Sequence, residues 1–255
     1  VGNGREGGKS EFGVGPRWVG GGKRLAGAGA RHGGGSEGAF GGWNIANHVS
    51  DKPEAVAQNR RQLAELMPEN TKLNWLNQVH GSLVHQAPTA LCEGDGLYTR
   101  KVLQACCIMT ADCVPILLSD KSGSEIGALH AGWRGVANRI IEHGAGCFDA
   151  ANSDIHVWIG PSISVRHFRI GRDVYKQLHQ SIFRLDSDHC FTADQHSSEH
   201  FFADLGALIE LQCRELGIDK VSQANRCSYT EEDCFYSYRR DGETGRNASV
   251  IVRLA

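Results

Sequence analysis

The chain has 255 residues, with 27 Lys+Arg against 29 Asp+Glu and a formal charge of −2 at pH 7. At 40% hydrophobic and 22% charged it has the composition of an ordinary globular protein, and its charge balance argues against a nucleic-acid or polybasic membrane binder. No apolar run approaches the roughly 18 residues of a membrane span, and the N-terminus carries no apolar export signal. A cytoplasmic protein is therefore expected, without nucleic-acid or membrane partners. The nine cysteines are scattered, and none forms a Cys-x-x-Cys. A disulfide framework or zinc ribbon is not indicated.

Seventeen of the 32 glycines fall in the first 42 residues. Glycine at that density costs backbone entropy and buries little. Residues 1–30 are expected to be flexible or irregular, with a short extended piece around Arg17-Trp18-Val19, and residues 31–255 to form one domain. A helix is signalled from Asp51-Lys-Pro-Glu54, with Asp as cap and Pro in the first turn. It should run to about Met67 with Val56, Leu63 and Leu66 inward. Leu73–Val79, Val102–Met109, Val114–Ser119 and Glu125–His130 read as strands. A helical pattern then places Val136, Ile140 and Cys147 on one face. Ile155–Ile159 is a further strand, stopped by Gly160-Pro161. Asp204 should cap a helix burying Leu205, Leu208, Ile209 and Leu216 and ending at Gly217. Ser249–Leu254 closes the chain as a strand. Strands and helices intermingle, so the class is mixed α/β or α+β.

Three segments put reactive side chains at the ends of apolar strands: Asn77-Gln-Val-His80-Gly81, Thr110-Ala-Asp-Cys113-Val-Pro115 and His130-Ala-Gly-Trp-Arg-Gly135. Rigid strands position such groups, and glycines let a ligand approach the backbone. Two histidines and a cysteine suit a catalytic zinc with an open fourth position. The same groups also suit a metal-free Cys–His nucleophile pair in an amide or acyl hydrolase, or copper bound by two His and a Cys with a weak axial ligand. With two methionines and no His-x-His, a multicopper oxidase has little support. No phosphate loop or dinucleotide glycine motif is present. Near the C-terminus, Cys227-Ser228-Tyr229, Phe235–Gly242 and Thr244-Gly245-Arg246 mix arginines with aromatics. That mixture suits an anionic, planar ligand, or a solvated Arg–Asp turn.

Five motifs occur in order: Asn77-Gln-Val-His80-Gly81, Ala111-Asp-Cys-Val-Pro115, His130-Ala-Gly-Trp-Arg-Gly135, Ile159-Gly-Pro-Ser162 and Ser237-Tyr-Arg-Arg-Asp-Gly242. Together they resemble the laccase-domain, or polyphenol oxidase/YfiH-like, family of purine nucleoside phosphorylases. Gly34–Asn59, with Trp43-Asn44-Ile45, His48-Val49 and Pro53-Glu-Ala-Val56, is similar to that family's N-terminal part, so the resemblance covers about residues 30–255. It implies a single-domain four-layer α/β/β/α sandwich with mixed sheets. It also implies one metal, zinc with copper as the alternative, on His80, Cys113 and His130 as ligands and catalytic centre. The implied activities are phosphorolysis of adenosine, inosine, guanosine and methylthioadenosine, and deamination of adenosine.

A purine nucleoside and phosphate are then the expected partners of a monomer or small homo-oligomer. Arg240 and Arg134 are the candidates for holding phosphate, and Asn44, His48 and Gln78 for hydrogen bonds to ribose or base. The competing functions are a Cys113/His130 hydrolase acting on an amide or peptidoglycan precursor, and a copper-dependent polyphenol oxidase. The chain departs from the family pattern at Phe168-Arg169-Ile170-Gly171, where an acidic residue is usual, and at Glu93-Gly94-Asp95. Neither departure is expected to touch the three ligands.

Overall fold

Ala105–Thr110, Val114–Asp120 and Ile126–Ala131 are buried along their whole lengths, as strands are when both faces of their sheet are covered. The computed structural model describes residues 15–16 and 23–254. Its elements run β1 (Arg24–Ala28), α1 (Pro53–Glu65), β2 (Lys72–Asn74), β3 (Val84–Gln86), β4 (Gly96–Thr99), β5 (Gln104–Thr110), β6 (Val114–Asp120), β7 (Ile126–Ala131), α2 (Trp133–Ala137) and α3 (Ile140–Ala145). They continue with β8 (Ile155–Ile159), β9 (Arg169–Gly171), α4 (Arg172–Gln180), β10 (Phe191–Ala193), β11 (His200–Ala203), α5 (Leu205–Glu215), β12 (Lys220–Gln223), α6 (Tyr238–Asp241) and β13 (Asn247–Arg253).

One sheet has the order β1-β13-β5-β2 and a second the order β12-β8-β6-β7-β4-β3. The pairs β2–β5, β3–β4 and β8–β12 are parallel and the others antiparallel, so both sheets are mixed. Alternation along β5 divides its side chains between two layers. Cys106 and Ile108 meet Leu117, Ala128 and Trp158 of the second sheet, while Cys107 and Met109 join Leu63 and Met67 under α1. The far face of the second sheet, including Ile116, Leu118 and Leu129, packs on Val136, Ile141, Leu178 and Leu208 of the other helices. The result is a four-layer α/β/β/α sandwich. A small antiparallel sheet, β10-β11-β9, flanks it.

Several expectations are refined. Arg24–Ala28, within the segment expected to be irregular, is a strand paired antiparallel with β13 from Arg253 to Ser249; Arg17-Trp18-Val19 lies outside the described residues. Asp51 does not cap α1. Its carboxylate takes hydrogen bonds from Ser36 Oγ and Asn44 Nδ2, and the helix starts at Pro53 behind Lys52. The strand expected over 73–79 stops at Asn74, because Gln78 instead brackets Met109 with its side-chain amide, donating to the carbonyl and accepting from the N–H at 2.8 Å each. The single helix expected after Ala131 is broken at Arg139, which has φ +53°, leaving Cys147 beyond α3. Asp204 does cap α5, accepting from Ala207 N–H at 2.9 Å.

Leu129 on β7 is seated between two glycines. A Cβ at Gly144 would stand 2.6 Å from Leu129 Cδ1, and one at Gly96 2.7 Å from Cδ2. Gly144→Val is expected to destabilise the fold by about 2 kcal/mol through overpacking, read by urea unfolding, with part recovered when Leu129→Val is added. Unchanged stability would contradict this packing.

Candidate metal centre

Strand register brings Cys113 and His130 together. In the β6–β7 hairpin Pro115 faces His130 and Val114 faces Ala131, so Cys113, one residue before β6, comes against Gly132. A Cβ there would stand 3.0 Å from Cys113 Sγ and 3.1 Å from His80 Cδ2; the close approach of two reactive side chains requires glycine at this position. His80 reaches the same place from the turn after Asn77, with φ +61°.

Asp95, the residue before β4, ties these pieces together. Its side chain is fully buried. It accepts hydrogen bonds from the backbone N–H groups of Val79 (3.3 Å), His80 (3.0 Å) and Gly81 (2.6 Å). The same carboxylate lies 2.7 Å from His130 Nδ1, while its carbonyl accepts His130 N–H at 2.7 Å. An ionised carboxylate only accepts, so Nδ1 carries the proton and Nε2 is left for the cluster. Asp95, expected not to touch the ligands, is the partner of one of them.

The ligand atoms of His80, Cys113 and His130 lie within 4.8 Å of one another, and the two imidazole rings meet edge to face with centroids 4.8 Å apart. Among the described residues this is the one group of three or more His, Cys, Asp or Glu side chains that converges in this way. Burial opposes ionisation of the Cys113 thiol. The charge of His130 and hydrogen bonds from both histidines outweigh it, bringing the thiol down to about 6. Burial likewise disfavours imidazolium at His130, yet the Cys113 thiolate and Asp95 raise it to about 9. Two imidazoles and a thiolate fit zinc or copper by donor chemistry, and the exposed side of His80 leaves the cluster open.

It opens into a cavity of about 350 Å³, within the range of small-molecule sites. Met109, Ile163 and Phe168 provide apolar wall, and His48, Gln78, Asp112, Tyr238, Arg239 and Arg246 also line it. Of the candidate contacts, His48 and Gln78 are there. Burial and then the charge of Arg246 lower the pKa of His48, keeping it neutral at pH 7. Both amide atoms of Gln78 are occupied by Met109. Asn44 is buried behind the wall and accepts Arg246 N–H at 2.9 Å.

Arg134 is exposed on α2, its guanidinium 4.3 Å from the Trp133 ring centre. Arg240 belongs to a separate depression; it donates to the carbonyls of Ser228, Tyr229 and Phe235 and pairs with Asp241 at 2.7 Å. These two arginines do not join the cluster. Arg169 pairs with Asp194 at 2.6 Å, and its side chain is not part of the cavity lining. The residue missed from sequence was Asp95; Arg246 lies in the arginine-rich C-terminal group read as suited to an anionic ligand, but Arg240 and Arg134 were preferred to it for phosphate. A carboxylate leading directly into the apolar strand Gly96–Thr99 was the available signal for Asp95.

The fold and cluster define a class: a mixed α+β sandwich in which two histidines and a cysteine, donors that fit one metal ion, converge at the strand ends. Residues 26–254 match the family described as multi-copper polyphenol oxidoreductase laccase, and the chain belongs to that family. It is similar to the purine nucleoside phosphorylase YfiH of Escherichia coli strain K12, 35% identical over 211 residues that cover 82% of this chain and 85% of the relative. It is also similar to a purine nucleoside phosphorylase of Haemophilus influenzae, 35% identical over 223 residues, 87% of this chain and 91% of that one.

Among solved structures, Neisseria meningitidis protein NMB0706 aligns with a TM-score of 0.88 at 32% identity, covering 95% of this chain and 99% of its own. YlmD from Geobacillus stearothermophilus aligns at 0.86 and 31%, covering 92% and 93%. The chain is thus a member of an enzyme family that includes nucleoside phosphorylases. No helix among the described residues is long and apolar enough to cross a membrane.

Asp95→Asn is expected to weaken zinc binding by 10–100-fold, as loss of a ligand's carboxylate partner does, measured by competition with a chromophoric chelator. Undiminished affinity would separate Asp95 from the centre.

Proposed function

We propose that this chain is a metal-dependent purine nucleoside phosphorylase, with zinc on His80, Cys113 and His130. Its substrates would be adenosine, inosine, guanosine and methylthioadenosine, with deamination of adenosine as a second reaction. The observation that carries this reading is the convergence of the three ligand groups on a cavity that combines apolar wall with two arginines, Arg239 and Arg246, that have no carboxylate partner among the described residues, in a chain 35% identical to purine nucleoside phosphorylases. A cytoplasmic monomer or small homo-oligomer belongs to the same reading.

When bound, the metal would supply Lewis acidity at the mouth of the cluster. The chain's own residues do the rest. Asp95 keeps the Nδ1 proton of His130 in place, so that Nε2 stays a ligand. Met109, Ile163 and Phe168 offer apolar surface to a purine and exclude water from it. In phosphorolysis an oxygen of phosphate bonds to ribose C1′ as the C1′–N9 bond breaks. The electron pair leaves with the purine, and the proton that phosphate gives up ends on the purine.

A second reading has an observation of its own. Cys113, His130 and Asp95 stand in line, with the thiol lowered by its histidine and that histidine oriented by a carboxylate, the arrangement of an activated cysteine nucleophile. It would serve an amide hydrolase without metal.

The two readings separate on incubation of the enzyme with adenosine. Phosphate-dependent release of adenine is expected, falling at least 100-fold after chelation and in Cys113→Ala, with zinc restoring the chelated enzyme. Failure to release adenine or inosine, together with amide hydrolysis that survives chelation, would assign the hydrolase. Restoration of phenol oxidation by copper alone would assign the oxidase.

A further inference from the structure

Several arginines that are wholly or partly buried elsewhere in this molecule have carboxylate partners: Arg139 pairs with Glu142 and Glu215, Arg226 with Glu231 and Arg240 with Asp241; Arg60, which has no ion pair among the described residues, donates to the Ile45 carbonyl and lies over the Trp75 ring. Arg246 differs. Its guanidinium lines the cavity of the His80/Cys113/His130 cluster, and among the described residues no carboxylate pairs with it. Among the described residues its side-chain hydrogen bonds run from Nη1 to the carbonyls of Thr244 and Gly245, at 2.8 and 3.0 Å. These orient the group and leave Nε and Nη2 for a ligand. Burial holds its pKa below the usual arginine range, although it stays charged at neutral pH. Cys113 and Asp112 act on it through space without a direct ion pair among the described residues, and a half-desolvated cation so placed costs free energy unless an anion completes it.

The loop that presents Arg246 is tightly seated. A Cβ on Gly245 would stand 2.7 Å from the Tyr236 ring and 2.9 Å from Asn44 Cβ, and Asn44 Oδ1 accepts the Arg246 N–H. Asn44 in turn is held by Asp51 at 2.8 Å. Asn44 and Asp51 therefore act on the cavity by fixing where the guanidinium stands.

A second arginine reaches the same cavity from α6. Arg239 donates through Nη1 to the carbonyls of His167 and Arg169, at 3.2 Å each, and its guanidinium lies 5.4 Å from the Phe168 ring centre. It too has no carboxylate partner among the described side chains. Asp112, the acid nearest this group in the lining, has φ +90°. Its carboxylate is engaged at 2.6 Å by Ser228 Oγ and by the Arg239 backbone N–H. That contact anchors the start of α6, on which Tyr238 and Arg239 stand.

We propose that Arg246 and Arg239 form an anion subsite in the wall of this cavity that takes inorganic phosphate, with Asn44 and Asp112 as positioning residues. Guanidinium forks match phosphate oxygens in geometry. The subsite would hold the attacking phosphate against the ribose, whose purine has the apolar wall. The assignment of phosphate as a reactant rests on the phosphorylase reading; the anion subsite itself does not.

Calorimetry of the zinc-loaded protein with inorganic phosphate tests the subsite apart from turnover. Binding is expected in the unmodified protein, with a loss of at least 10-fold in affinity in Arg246→Gln and in Arg239→Gln, at unchanged zinc content. Arg246→Lys, which keeps charge but loses the fork, should recover part. In turnover the KM for phosphate should rise at least 10-fold in both glutamine variants, while the KM for adenosine changes less than 3-fold. Asn44→Ala should raise the phosphate KM in the same direction with kcat at saturating phosphate retained.

Absence of phosphate binding to the unmodified protein, or unchanged affinity in both variants, overturns the subsite. Phosphate binding lost in the variants without any phosphorolysis keeps the subsite and overturns the phosphorylase. A rise in the adenosine KM alone places the arginines on the nucleoside and overturns the proposal.

Discussion

Asp95 is a carboxylate enclosed by protein, and four hydrogen bonds converge on it, three from the backbone of the 79–81 turn and one from His130. An unpaired charge at such a depth would cost several kcal/mol. Burial opposes its ionisation, but the bonds from His130, Gly81 and His80 outweigh that opposition and hold its pKa below the usual carboxylate range. One group thereby bends the turn that offers His80, sets the proton on His130, and places both relative to Cys113. Without it the left-handed backbone at His80 would have little to hold it.

The sandwich supplies what this carboxylate needs. β4 and β7 pair from Gly96 opposite Leu129, and the ladder is extended by the bond from His130 N–H to Asp95 O. Cys113 stands one residue before β6 and His130 near the end of β7, so the hairpin register alone juxtaposes them. Because the strands are buried on both faces, their ends are rigid, and rigid ends hold reactive groups within a few tenths of an ångström. Glycine at 132 then removes the one Cβ that would fill the space between the ligands.

Much of this was legible from sequence because it depends on local pattern. Continuous apolar runs gave β5, β6, β7 and β8, and Asp204 gave the start of α5. The three residues that converge, His80, Cys113 and His130, stood out because reactive residues at strand ends next to glycine are chemically unusual. Less legible were features decided by tertiary contact. Asp51 is a good helix cap by type, but Ser36 and Asn44 claim its carboxylate. Arg240 sits in a motif rich in arginine, yet three carbonyls and Asp241 consume it, while Arg246 six residues on remains open. Nothing local distinguishes these two arginines; only the loop held by Asn44 does. The role of Asp95 depends on Asn77–Gly81 folding back onto β4, which no periodicity reports.

The central claim is that His80, Cys113 and His130 hold one metal ion with a position left open. X-ray absorption at the zinc edge of reconstituted protein tests it most directly. The account predicts one zinc per chain, with one sulfur at about 2.3 Å, two nitrogens at about 2.0–2.1 Å and one further light atom, and loss of the sulfur shell in Cys113→Ala. A shell made only of oxygen and nitrogen in the unmodified protein, or a sulfur shell that survives Cys113→Ala, would contradict it.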